Sequence, residues 1–170
     1  GRSIFVSCVS AVLTTALAFV LAYTIHYTNV PGGLKKFIRL AAVVPMLLPT
    51  ITYGFAIIYS FGRQGFITGM IGHQMFEIYG FCGLLLGYVI YTLPISFMLI
   101  LNTMSFIDKK FMIVSRIMGD SPLKTFLGTV IRPLLGTLAA SFVQCFFLCF
   151  TDFGIPASVG GQYDVVATVL

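Results

Sequence analysis

The sequence predicts an all-α polytopic membrane protein, and three observations carry that prediction. The 170 residues are 58% hydrophobic and 9% charged, with a mean hydropathy of +1.02, whereas soluble domains carry about 25% charged residues. So few charges cannot coat a water-exposed surface. Uncharged stretches recur at the length of about 20 residues that crosses a hydrocarbon core of about 30 Å. Finally, the cations are not scattered: Lys35, Lys36 and Arg39 fall in one interval, and Lys109, Lys110, Arg116, Lys124 and Arg132 in another.

The first span is Ile4 to Tyr27 (4–27). Its length and the spans that follow argue against a cleaved leader. The start at Gly1 and the end at Leu170, inside an apolar run, read as a piece of a longer protein. Val30-Pro31-Gly32-Gly33 is a turn, and Lys35, Lys36 and Arg39 after it anchor an interface. The second span, 40–61, contains Pro45 and Pro49. Proline removes a backbone hydrogen bond and kinks a helix, which suits either a packing bend or a pathway lining.

Residues 62–80 are punctuated by glycine and form a short amphipathic segment at the interface. His73 and Glu77 in it share a helix face, as an interfacial pair and not a metal site. The third span, 81–101, carries Gly83 and Gly87 at small-xxx-small spacing and Pro94 inside. The fourth span is 134–151. A polar loop, Asp152 to Asp164, follows, and a fifth span starts at 165–170. Cys8, Cys82, Cys145 and Cys149 form no CxxC pair and read as small buried hydrophobes, so no metal or other cofactor is expected.

The cation count orients these spans. Eight of the ten Lys and Arg residues lie in the Lys35 turn and the loop 105–133, against Arg2 and Arg63 on the other side. The positive-inside rule puts the eight in the cytoplasm and the amino terminus outside. In this setting the net charge of +5 marks loops and not a nucleic-acid surface.

The charged island Ile107–Pro133 is the part built to meet a soluble partner. Asp108 can cap a helix through Met118, and Gly119 suits the left-handed position that closes it. Ser121 followed by Pro122 is an N-cap with proline at the first helical position. Two short cytoplasmic helices result, with a sharp bend at Gly119-Asp120-Ser121-Pro122. The first presents Met112, Ile113, Ile117 and Met118 with Arg116 among them, either packed on its own protein or as a docking knob.

The stretch GDSPLKTFLGTVIRPLL resembles the cytoplasmic loop of permease subunits of binding-protein-dependent type I ABC importers. That family's signature is E-A-A, three residues, G, nine residues, then I-x-L-P, commonly with G-A-S/T-P-W-x-T-F. Gly119, Pro122, Thr125 and Phe126 match, and Pro133 stands for the closing proline, one residue late. Ile113-Val114-Ser115 occupies the E-A-A positions. Leu48-Pro49, Leu93-Pro94 and Asp152-Phe-Gly-Ile-Pro-Ala look like the branch serving ferric iron, 2-aminoethylphosphonate or polyamines.

The resemblance implies the type I importer transmembrane-domain fold (MetI-like), a single domain of kinked helices plus a cytoplasmic coupling helix. It implies ATP-binding cassette ATPase subunits, an extracytoplasmic solute-binding protein and a second permease copy or fused half as partners, in a bacterial inner membrane. Coupling to the ATPase would fall on Ile113, Val114, Ser115, Arg116, Met118, Gly119, Asp120, Ser121 and Pro122. Pro45, Pro49 and Pro94 would be kink or pathway residues. Asp152, Phe153, Gly154 and Pro156 would form an outer gate loop.

The chain carries no Walker A loop and is not itself expected to hydrolyse ATP. Asp152-Phe153-Gly154 lacks every companion of the kinase metal triplet and is a chance match. The alternatives are an ion-coupled secondary transporter or channel subunit, and a structural assembly subunit. The first usually places ionisable groups within spans, and the spans as drawn hold no Asp, Glu, Lys or Arg.

Overall fold

Residues 2–27 contain no proline or glycine, and in the computed structural model, which describes residues 2–72, 78–161 and 165, they form one uninterrupted helix, α1 (Arg2–Tyr27). Ser7, Ala11, Thr14, Ala18 and Ala22 recur every three or four positions and are all buried. This small-residue face lets α1 lie close against α5 (Phe81–Ser105) and α8 (Arg132–Thr151). Between α1 and α5 lie α2 (Gly32–Val43), a 3₁₀ turn (Val44–Leu47), α3 (Thr50–Phe61) and α4 (Phe66–Ile71). Between α5 and α8 lie α6 (Lys110–Ile117), α7 (Pro122–Phe126) and a π-helical segment (Leu127–Ile131); α9 (Gly154–Val159) follows α8.

Every described element is a helix or helical turn, and three helices are long and apolar enough to cross a membrane: Arg2–Tyr27, Phe81–Ser105 and Pro122–Thr151. The chain is an all-α membrane protein. Three expectations change. The segment at 40–61 is not one kinked helix, because the arms Gly32–Leu47 and Thr50–Ile71 meet at 114°. Pro45 and Pro49 withdraw two amide donors within five residues, and Leu48, held ahead of a proline, is extended (φ −102°, ψ 143°). The Tyr53 hydroxyl donates to the Pro45 carbonyl and ties α3 back to the break. At Pro94, by contrast, α5 runs on through the proline.

The second correction concerns the helix beginning at Pro122. It is not a separate cytoplasmic piece, since α7, the π segment and α8 form one helix of 30 residues. The third concerns the polar loop from Asp152: residues 154–159 form α9, with Ile155, Pro156 and Val159 buried. The fifth span beyond Val165, Asp164, and the His73–Glu77 pair lie outside the described residues.

α9 folds back onto α3 at very short range. A Cβ on Gly54 would stand 1.6 Å from Ser158 Oγ, and one on Gly154 would stand 2.2 Å from Thr50 Oγ1. Glycine is required at both positions for the two backbones to approach. Gly87 of the small-xxx-small pair faces Ile155, so that motif serves contacts within the chain.

Two apolar clusters fill the bundle. One gathers Val6, Ile57, Leu84, Ile155 and Val159; the other gathers Ala22, Phe97, Met104, Val130 and Leu134. Between them, midway along α1, α5 and α8, lies a layer of hydroxyls. Thr14 Oγ1 and Thr92 Oγ1 are 3.0 Å apart, Ser141 Oγ donates to Ser96 Oγ at 2.9 Å, and Ser96 Oγ meets Cys145 Sγ at 2.8 Å. Each group satisfies another within the bundle.

Candidate coupling site

The island between α5 and α8 folds into an elbow whose parts follow from the residues that signal them. The Asp108 carboxylate accepts the Lys110 amide at 2.9 Å and opens α6. Gly119, at φ +84°, closes it. The Gly119 amide donates to the Arg116 carbonyl at 3.1 Å and the Asp120 amide to the Ser115 carbonyl at 3.2 Å. This pair is a Schellman closure, which needs the left-handed glycine. Ser121 then caps α7, its hydroxyl accepting the Lys124 amide, with Pro122 at the first helical position.

The angle between α6 and α7 is held by side chains centred on Ser115. Its hydroxyl donates to Asp120 Oδ2 at 2.7 Å and lies 3.0 Å from Thr125 Oγ1, while Asp120 Oδ1 pairs with Lys124 Nζ at 2.5 Å. Hydrogen bonds from Lys124 and Ser115 hold the Asp120 carboxyl below its ordinary pKa. The sequence reading placed Ser115 in a contact triplet. In the structure its side chain turns inward and joins the two helices, and Thr125 beside it is buried.

The outward face is apolar. Ile117 is 80% exposed and Met118 78%, with Phe111, Ile113, Val114 and Leu123 also exposed. Arg116 stands among them, exposed. Met112, expected on that face, instead packs against the inner cluster. Phe126 roots the elbow in the bundle: its ring meets Tyr23 at 5.6 Å and Phe19 at 6.2 Å, both edge-on.

The π segment was not foreseen, although a signal for it was present. The Arg132 amide reaches back to the Leu127 carbonyl, five residues away. Such a segment absorbs one extra residue in a helix, and Pro133 stands one residue beyond its place in the resembled signature. The wider turn lies just ahead of Pro133, where the missing amide would strain an ordinary helix.

At the opposite end, Asp152 is buried and does not sit on an open loop. Its Oδ2 accepts the Ile155 amide at 3.0 Å, and the Thr50 hydroxyl and Gly154 amide lie close enough to favour its charged form. Burial raises its pKa against these bonds. Phe153 beside it is 61% exposed, and Gly154 sits under Thr50. Asp152, Gly154 and Pro156 thus belong to the α3–α9 contact, and Phe153 alone among the four faces outward. Pro45 and Pro49 lie at the break between the two arms, and Pro94 is buried within α5. Among the described residues no group of three or more His, Cys, Asp or Glu side chains could hold a metal.

No protein-family model matches the chain. Curated relatives do. The ferric transport system permease protein FbpB of Actinobacillus pleuropneumoniae is 26% identical over 99% of this chain and 25% of its own length. The thiamine transport system permease protein ThiP of Salmonella typhimurium is 30% identical over 89% of the chain and 29% of its own length. The probable sulfate transport system permease protein cysT of Helicosporidium sp. subsp. Simulium jonesii is 27% identical over 95% and 60%. The chain therefore spans about a quarter of the length of the ferric and thiamine relatives. Along nearly its whole length it is similar to the permease proteins of solute transport systems, which bears out the resemblance to importer permease subunits read from its loop.

Proposed function

We propose that the chain is the transmembrane domain of an ABC importer permease, lining part of a solute pathway and taking its stroke from a separate ATPase through the α6–α7 elbow. One observation carries the reading: an exposed apolar knob is fixed by a polar network to the end of a 30-residue helix that runs through the bundle. A displacement of α6 is thereby delivered to a rigid span, as alternating access requires. The eight-cation end would face the cytoplasm of a bacterial cell, where that ATPase resides. Hydrolysis is assigned to the ATPase, and solute delivery to an extracytoplasmic binding protein. A second permease copy or fused half would complete the pathway.

The relatives' names mention ferric iron, sulfate, thiamine and polyamines, so the solute is a small charged molecule, with ferric iron or 2-aminoethylphosphonate the members first expected. The test is reconstitution with the ATPase and binding protein. Ile117→Asp/Met118→Asp should keep assembly of the bundle and lose at least tenfold of solute-stimulated hydrolysis. Undiminished stimulation would refute the coupling role. Uptake driven by an ion gradient without ATP would favour a secondary transporter.

A further inference from the structure

At the elbow end, α1, α2 and α5 enclose a cleft of about 540 Å³ that the coupling role does not use. Lys35, Lys36 and Arg39 enter it from α2, and Lys109 from the start of the elbow; the His26, Asn102 and Ser105 side chains complete its polar lining. Among the described residues no carboxylate lines it. The Lys124–Asp120 ion pair lies elsewhere on the elbow. Four cations therefore converge on one space with no carboxylate among its described lining residues. His26 Nε2 is buried and has no hydrogen-bond partner among the described residues. Lys109 Nζ lies 5.9 Å from the centre of the Tyr27 ring.

The surroundings are as informative as the charges. α2 is amphipathic, with Leu34, Phe37 and Leu40 exposed beside its cations, and Phe106 is 87% exposed at the foot of α5. A cationic cleft flanked by exposed apolar side chains, at the end of membrane-crossing helices, matches a molecule with an anionic head and a hydrocarbon body. We propose that this cleft is a phosphate site, occupied by the headgroup of an anionic phospholipid whose acyl chains lie along Phe37 and Phe106. Lys35, Lys36, Arg39 and Lys109 would surround the phosphate, and His26 Nε2 and the Asn102 amide would hydrogen-bond its oxygens or the glycerol. The proposal rests on the helices crossing a bilayer and is independent of the ATPase.

The experiment uses the full-length protein and native mass spectrometry, titrating phosphatidylglycerol against phosphatidylcholine. Wild-type protein should retain phosphatidylglycerol in clear preference. Arg39→Gln/Lys109→Gln should weaken it by roughly 30-fold, at about fivefold per cation near a membrane surface. Lys110→Gln/Arg132→Gln, which removes as much charge from the same end but outside the cleft, should leave it unchanged. Arg39→Lys/Lys109→Arg preserves the charge and should preserve binding. If the neutralised pair folds poorly, by circular dichroism and thermal midpoint, Lys36→Gln/His26→Gln repeats the test at two other lining positions. Equal retention of the two lipids, or equal losses in the cleft and control pairs, would overturn the proposal. Glycerol 3-phosphate or inorganic phosphate should compete only weakly. If either displaces the lipid at concentrations comparable to the lipid's own, the site takes a soluble anion and the phospholipid assignment falls.

Discussion

Replacing Gly119 by alanine tests the elbow at its narrowest point. The residue sits at φ +84°, yet a Cβ built there meets nothing within 4 Å. Any penalty is therefore backbone strain alone, about 1–2 kcal/mol for a non-glycine residue in the left-handed region. An energy of that size shifts a local equilibrium by roughly 5- to 30-fold. Gly136→Ala is the control: it has equally open surroundings, lies inside α8, and exchanges glycine for a better helix former. Trypsin provides the assay, because Arg116 lies within α6 and is exposed. While the Schellman closure holds, helical backbone at Arg116–Ile117 resists cleavage. Gly119→Ala should raise the cleavage rate there by roughly 5- to 30-fold, with total helix content unchanged. Equal rates for the two variants would refute the view that this closure organises the elbow.

Other expectations concern the rest of the bundle. The Asp120 pKa is lowered by its bonds to Lys124 and Ser115, so the opened elbow takes up a proton before the closed one as pH falls. The stabilisation is present above the ordinary carboxylate range and lost as pH falls from there through the lowered folded-state value; peptic nicking of the elbow should rise there in wild type and show no such step in Asp120→Asn. Gly54→Ala drives a Cβ into Ser158 and should lower stability by about 1–3 kcal/mol. Ser158→Gly should recover much of that loss in a double-mutant cycle, and strictly additive effects would contradict the α3–α9 contact. Ser96→Ala strips partners from Ser141 and Cys145. Intramembrane bonds average about 0.6 kcal/mol, so a loss of roughly 0.5–2 kcal/mol by denaturant titration is expected.

What could be read in the sequence, and what could not, divides along physical lines. Spans and caps are local: Asp108, Gly119, Ser121 and Pro122 act on their immediate neighbours, and all four stand in the structure in the roles expected of them. The fate of the prolines is not local. Pro94 continues in a helix because its surroundings tolerate it, whereas Pro45 and Pro49, close together and answered by Tyr53, break theirs. Ser115 looked like a surface residue because no pattern in α6 reveals that Asp120 and Thr125 return to meet it. Asp152 to Pro156 read as a loop because three polar or turn-forming residues mask a short helix. Its partner, Gly54, lies about a hundred positions earlier. The π segment had left one trace, the late proline.

Cross-linking tests the central claim most directly. Cysteine is placed at Ile117, at the exposed tip of the elbow, and separately at Phe153, exposed at the far end of α8. Each variant is assembled with the ATPase and treated with a short thiol cross-linker, using unsubstituted protein to account for Cys8 and Cys82. A cross-link from Ile117→Cys that changes in yield with ATP, and none from Phe153→Cys, is the predicted result. A cross-link to the ATPase from position 153, or none from 117 in a complex that still transports, would contradict the account.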